Sequence, residues 1–159
     1  MLESMCHGEW SSQLSVPHLI ADITKRCLRH PAVLLAVLLN EPTRRALVNA
    51  TEGYSLVGAP SLPWEIGNAL VAGVRRKRIS AADVQQAWAS YQSVPVRLAH
   101  IDPGHAVNLA LESGLYADDG YVLETALAEG LALLTLDLGR ARAAQKIGVK
   151  LQEFGDESI

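Results

Sequence analysis

The sequence is poor in cysteine, in aromatic residues and in long apolar runs. Two cysteines among 159 residues, Cys6 and Cys27, are too few for a disulfide framework, so we expect both thiols to be reduced, as in the cytoplasm. Aromatic residues make up only 5% of the chain, which disfavours a platform that stacks single-stranded bases. The longest apolar run, residues 32–39, is far shorter than the ~20 residues that span a bilayer. We therefore expect a cytoplasmic protein without a membrane segment.

The composition is that of an ordinary globular domain. Hydrophobic residues make up 49% of the chain and charged residues 19%, and the formal net charge is −3. A chain of this length buries roughly two-thirds of the surface that it exposes when unfolded, so it can fold without a disulfide or a structural metal. The slightly acidic total argues against a general coat for nucleic acid. We expect a loose N-terminal arm over residues 1–17 and a single domain over residues 18–159.

Short apolar runs alternate with helical patterns along the chain. The predicted strands are residues 18–22, 54–59, 96–101, 131–136 and 149–154. The predicted helices are residues 31–40, 43–50, 61–78, 80–91, 102–114 and 118–129, with a last one that ends at Gly148. Continuous apolar strands that alternate with helices are typical of a parallel sheet covered on both faces. The predicted fold class is therefore α/β, a three-layer α/β/α sandwich with a mostly parallel central sheet.

Four acidic residues follow predicted strands or open predicted helices. Asp22 and Asp137 come at strand ends, while Glu65 and Asp119 lie in the first turn of a helix. Ligands of open parallel sheets bind beyond the carboxyl ends of the strands, so we expect all four side chains at one edge. Any one of them alone is more often a helix cap or a partner of the helix dipole. Their convergence is what indicates a functional site.

Carboxylates that converge in one cleft repel one another unless some are protonated or a cation neutralises them. A cluster made only of oxygen ligands suits Mg²⁺ or Mn²⁺ better than zinc. In phosphodiester hydrolysis such an ion activates a water molecule and neutralises the charge that develops on phosphorus. The predicted cofactor is therefore Mg²⁺ or Mn²⁺.

Four segments of the chain resemble the PIN-domain ribonucleases of the VapC-like toxin type, in the order that the family has them. They are AVLLAVLLNEP at residues 32–42, PSLPWEIGNAL at 60–70, YADDGYVLE at 116–124 and LLTLD at 133–137. The resemblance covers roughly residues 18–154. It implies a metal-dependent endoribonuclease, the toxin of a type II toxin–antitoxin pair. It also implies a small antitoxin protein as partner and a homodimer.

The same resemblance assigns roles to individual residues. Asp22, Glu65, Asp119 and Asp137 would hold the metal ion, and Thr135 would orient Asp137 or a metal-bound water. An acidic cleft needs nearby cations to receive a polyanion such as RNA. Arg140 and Arg142 follow Asp137 closely, so we expect them to bind the RNA backbone, whereas the basic run at 75–78 is equally well explained as a solvated helix end.

The first acidic motif departs from the family pattern. In the family the first strand ends in Asp-x-Ser/Thr and the first helix follows at once. Asp22-Ile-Thr24 has this pattern, but residues 25–32 separate it from the helix. Aligned without a gap, His30 takes the acidic position and the first carboxylate is missing. We choose Asp22 because an apolar strand precedes it; the alternative is a catalytically crippled PIN-fold module that binds RNA or a partner protein.

Overall fold

The structure is a computed structural model that describes residues 26–153. Its strands are β1 (Arg26–Arg29), β2 (Ser55–Gly58), β3 (Val96–Leu98) and β4 (Ala132–Leu134). Its helices are α1 (Pro31–Leu38), α2 (Arg44–Asn49), α3 (Leu62–Arg75), α4 (Ala81–Ser93), α5 (Pro103–Ser113), α6 (Ala117–Glu129) and α7 (Leu138–Lys146). None of the helices in this part of the chain has the length and the apolar composition that crossing a membrane requires.

The four strands form one parallel sheet in the order β3-β2-β1-β4. Strand β1 lies in the interior, where Cys27 pairs with Leu56 on one side and with Ala132 on the other. The chain leaves β1 towards β2 and β3, and only β4 is added on the opposite side. The order therefore reverses between β1 and β4, where parallel sheets open a crevice for ligands.

Side chains on β1 alternate between the two faces of the sheet, and each face is covered by helices. Leu28 belongs to the core formed with α5, α6 and α7, which includes Leu123 and Ala144. Cys27 points to the other face, where Val33 and Leu47 of α1 and α2 pack. This arrangement confirms the three-layer α/β/α sandwich. A separate apolar cluster joins α1 to α3 and α4.

Strand β1 was not predicted. Its sequence, Arg-Cys-Leu-Arg, has only two apolar residues, and it falls within residues 25–32, which separate Asp22-Ile-Thr24 from the helix in the gapped alignment. In the structure both apolar side chains are fully buried, and even Arg29 is buried, with its guanidinium donating to the Thr51 hydroxyl. The segment that separates this motif from the helix thus contains a strand that is paired on both sides. The predicted strand at 18–22, with Asp22, lies outside the described residues.

Local capping chemistry predicts the helix ends well. Ser80 and Asp83 form the reciprocal capping box of α4, with hydrogen bonds of 3.2 and 2.7 Å. Gly114 and Gly130 end α5 and α6 in the left-handed conformation, which glycine adopts without strain. The predicted strand at 149–154 is reduced to a single bridge between Leu133 and Leu151 within the described residues.

Candidate active site

The end of β1 leads directly into α1 through His30. The backbone N–H of His30 donates to the carbonyl of Leu134 at the end of β4 (3.2 Å), which ties the two strand ends together. Its Nδ1 accepts from the backbone N–H of Ala32 (3.2 Å) and so caps α1. The imidazole is buried at the point where the sheet order reverses.

Asp119 is brought to the same edge by the packing of α6 against α5. It occupies the first turn of α6, and the residue is only 5% exposed. The next residue is Gly120, where a Cβ would overlap the carbonyl oxygen of Ala106 in α5. Only glycine lets the two helices approach this closely, and that approach sets the position of Asp119.

Asp137 follows β4 and caps α7. Its Oδ1 accepts from the backbone N–H of Arg140 (2.9 Å), and its own N–H donates to Oγ1 of Thr135 (3.2 Å). The backbone hydrogen bond from Arg140, helped by the Arg140 charge, lowers the pKa of Asp137 below its usual range. Thr135 therefore fixes the turn that presents Asp137 and contacts its backbone.

Glu65 lies in the first turn of α3, after the end of β2. Its Oε1 is buried and has no hydrogen-bond partner among residues 26–153. Burial raises the pKa of Glu65, against the opposite effect of the Ser61 hydroxyl, and the nearby carboxylates of Asp118 and Asp119 raise it further. Glu65, Asp119 and Asp137 are called the acidic cleft below. An unpartnered buried carboxylate beside other acids is a group that a cation would stabilise.

Arg140 points into the acidic cleft. Its Nε donates to Oδ1 of Asp119, and its Nη1 lies 3.8 Å from Oδ2 of Asp137. Arg142, two residues further along α7, is exposed and lines a groove with Glu112 and Lys146. Of the two predicted RNA-binding arginines, one is thus paired with acids in the cleft and the other faces a different groove.

His30 presents a hydrogen-bond donor to the cleft. Burial, together with the Arg140 charge, lowers the pKa of His30 to about 4, so the imidazole is neutral at neutral pH. Since Nδ1 accepts the Ala32 N–H, the ring proton lies on Nε2. Nε2 is buried, lacks a hydrogen-bond partner within the described chain, and lies 3.9 Å from Oδ1 of Asp119.

Solved structures match this arrangement of elements, among them the following two. The crystal structure of PAE2754 from Pyrobaculum aerophilum has a TM-score of 0.60 and 21% identity, over 75% of this chain and 84% of that chain. The structure of VapBC2 from Rickettsia felis, bound to a DNA fragment from their promoter, has a TM-score of 0.57 and 13% identity, over 80% and 98%. No protein-family model and no curated protein matches the sequence.

The fold is that of a PIN domain of the VapC type. In this PIN fold the first helix follows directly on β1, as the ungapped alignment requires. His30 thus takes the place that the ungapped alignment gives to the first acid, while Asp22, the choice made from the sequence because an apolar run precedes it, lies outside the described residues.

The donor chemistry of the acidic cleft fits a hard divalent cation. All three carboxylates offer oxygen ligands, and Oε1 of Glu65 is buried without a partner. Within residues 26–153, no three candidate ligands are grouped as a metal site in the present arrangement. The guanidinium of Arg140 is the cation that contacts Asp119 in this structure.

Proposed function

We propose that this chain is a metal-dependent endoribonuclease that cleaves RNA at the acidic cleft. The single observation that carries the proposal is Oε1 of Glu65, which is buried without a geometric hydrogen-bond partner within residues 26–153 although Ser61 lies beside the carboxyl, and which is near the carboxylates of Asp118 and Asp119. A PIN-domain fold supports it, because the cleft lies at the carboxyl edge of the sheet where this fold reverses its strand order.

Three carboxylates of the cleft would hold Mg²⁺ or Mn²⁺, and Asp22 is the predicted fourth ligand. When bound, such an ion activates the attacking water and neutralises charge on the phosphate. Other residues of the chain hold these carboxylates in place. Thr135 fixes the turn before Asp137, and the contact of α6 with α5 at Gly120 holds Asp119.

We propose that the protein acts as the toxin of a toxin–antitoxin pair in the cytoplasm. The solved structure of VapBC2 supports this assignment, since it is a complex with the same fold, bound to promoter DNA. The partner would be a small antitoxin protein that covers the acidic cleft, and the toxin would form a homodimer. A small reading frame for a DNA-binding protein beside this gene is the observation that would support the pairing most cheaply.

Substitution of the cleft acids tests the catalytic proposal. Glu65→Gln and Asp137→Asn should each abolish Mg²⁺-dependent cleavage of RNA by a folded protein, and EDTA should do the same to the parent chain. Glu129→Gln is the matched control, because this acid is paired with the half-exposed Arg97 and Arg26 at the start of β1. Full activity in either cleft variant, or activity that persists in EDTA, would contradict the mechanism.

A second candidate function is a PIN-fold module that binds RNA or a partner protein without cleaving it. The observation that favours it is His30 at the first acidic position, with a protonated Nε2 that cannot bind a metal ion. If this candidate is correct, the parent chain should bind RNA without cleaving it, and His30→Asp should gain activity. If Asp22 is the first acid, Asp22→Asn should abolish cleavage and His30→Ala should have little effect.

A further inference from the structure

Arg140 occupies an unusual place for a cation. It is the third residue of α7, whose capping residue is Asp137, so it lies in the first turn of the helix. The positive end of the helix dipole disfavours a cation there. The side chain is also largely buried, with 22% of its surface exposed. Its carboxylate partners therefore account for the placement of this side chain.

The partner of Arg140 is the most buried acid of the cleft. The Asp119 side chain is 6% exposed, and its Oδ1 accepts the Nε–H of Arg140. An uncompensated carboxylate at such a position would be costly, because burial removes its hydration. Nε2 of His30 lies 3.9 Å from the same Oδ1, which is too far for a hydrogen bond. The guanidinium is thus the group that makes the buried carboxylate tolerable.

A divalent cation and a guanidinium cannot both bind the same carboxylate oxygen at low cost. The two positive groups would lie within a few ångströms of each other, where their repulsion is strong in a partly buried site. The Oδ1 atom that faces the cleft is already engaged by Arg140. Binding of a metal ion at Asp119 therefore competes with this hydrogen bond.

We propose that Arg140 is an internal counter-ion of the acidic cleft, which a divalent cation has to displace from Asp119. The displacement rests on the proposed function, because it requires that a cation binds at the cleft. The ion pair between Arg140 and Asp119 is independent of the proposed function. Arg140 is in this view a positioning residue for Asp119 that weakens metal binding in the free protein.

Calorimetric titration with Mn²⁺ tests the displacement. Arg140→Gln should bind Mn²⁺ about tenfold more tightly than the parent chain, because the variant removes both a like charge and a competitor for Oδ1. Arg142→Gln is the matched control on the same helix and should bind Mn²⁺ as the parent does, since Arg142 faces another groove. Arg140→Lys, which keeps the charge, should lie closer to the parent. Equal Mn²⁺ affinity in the parent chain and Arg140→Gln would overturn the displacement.

Thermal unfolding without metal separates this inference from the proposed function. Asp119→Asn, Arg140→Gln and the double variant form a cycle in which the shifts in melting temperature should be clearly non-additive. Additive shifts would overturn the ion pair as a counter-ion contact. A non-additive cycle in proteins that all fail to bind Mn²⁺ would contradict the proposed function and the displacement, while supporting the internal counter-ion.

Discussion

The two ends of strand β1 carry arginine–carboxylate contacts of opposite balance. At its start, Glu129 accepts from Arg26 (3.1 Å) and from Arg97 (2.7 Å), so one acid meets two cations. At its end, the guanidinium of Arg140 donates to Asp119 and lies near Asp137, while Oε1 of Glu65 has no hydrogen-bond partner in the described part of the chain. One end has an excess of positive charge and the other an excess of negative charge.

Burial sharpens this difference. The arginines at the start of β1 are about half exposed, so their charges remain hydrated and the cluster needs no further ligand. Asp119 at the other end is buried, and Glu65 has a raised pKa because of its burial. The charges at the start of β1 are therefore satisfied by one another and by water, whereas the buried carboxylates at its end outnumber the guanidinium that pairs with them. An incomplete, buried charge cluster is the kind that marks a functional site.

Breaking one contact at each end should produce very different losses of stability. Asp119→Asn leaves the partly buried guanidinium of Arg140 without its main partner, and should cost about 2 kcal/mol of the free energy of unfolding in metal-free buffer. Glu129→Gln removes the acid from two arginines that are about half exposed and should cost less than about 1 kcal/mol. Urea unfolding of the two variants at pH 7 measures both losses. Equal losses would mean that the two ends do not differ in burial as described.

Substitution of Glu65 should raise the stability of the metal-free protein, whereas the two substitutions above lower it. Glu65 has a raised pKa in the folded state, so the folded chain holds this proton more tightly and stability falls as the pH rises through the titration. Glu65→Gln abolishes that loss and should stabilise the metal-free protein above the titration range, with little effect at low pH. Melting temperatures at pH 4 and pH 8 provide the measurement. A Glu65→Gln variant that is less stable than the parent at pH 8 would contradict the raised pKa of Glu65.

The elements that sequence predicts are those whose ends are fixed by local chemistry. Ser80 and Asp83 begin α4 through hydrogen bonds within four residues, and Gly114 ends α5 by adopting a positive φ. Strand β1 has no such signal. Arg26 and Arg29 flank two apolar residues, and the segment becomes a strand because β2 and β4 pair with it on both sides. Tertiary pairing of this kind is not visible in a four-residue pattern.

The same distinction holds for the candidate site. Glu65 and Asp137 were expected at the carboxyl edge of the sheet because they follow strands, and this rule needs no knowledge of side-chain contacts. The direction of Arg140 depends on where α6 places Asp119, which is a contact over 21 positions of the chain. Likewise, the position of His30 follows only once β1 is known to be a strand. The sequence thus predicted the edge of the sheet at which Glu65 and Asp137 lie, and did not predict the guanidinium that pairs with Asp119.

A third acid–base contact, outside both ends of β1, should respond to pH with a smaller effect. His105 of α5 lies 2.7 Å from Oε2 of Glu124 in α6, and this carboxylate raises the pKa of the imidazole. A raised histidine pKa adds stability below the ordinary value of about 6.5, and this stability is lost as the pH rises through the folded-state pKa. His105→Gln should therefore lower the melting temperature at pH 5.5 and have almost no effect at pH 9. Since His105 is exposed and remote from Arg140 in sequence, the variant should leave Mn²⁺ affinity unchanged. A loss of stability that is equal at both pH values would contradict the ion pair, and would indicate that His105 acts only by packing between the two helices that hold Asp119.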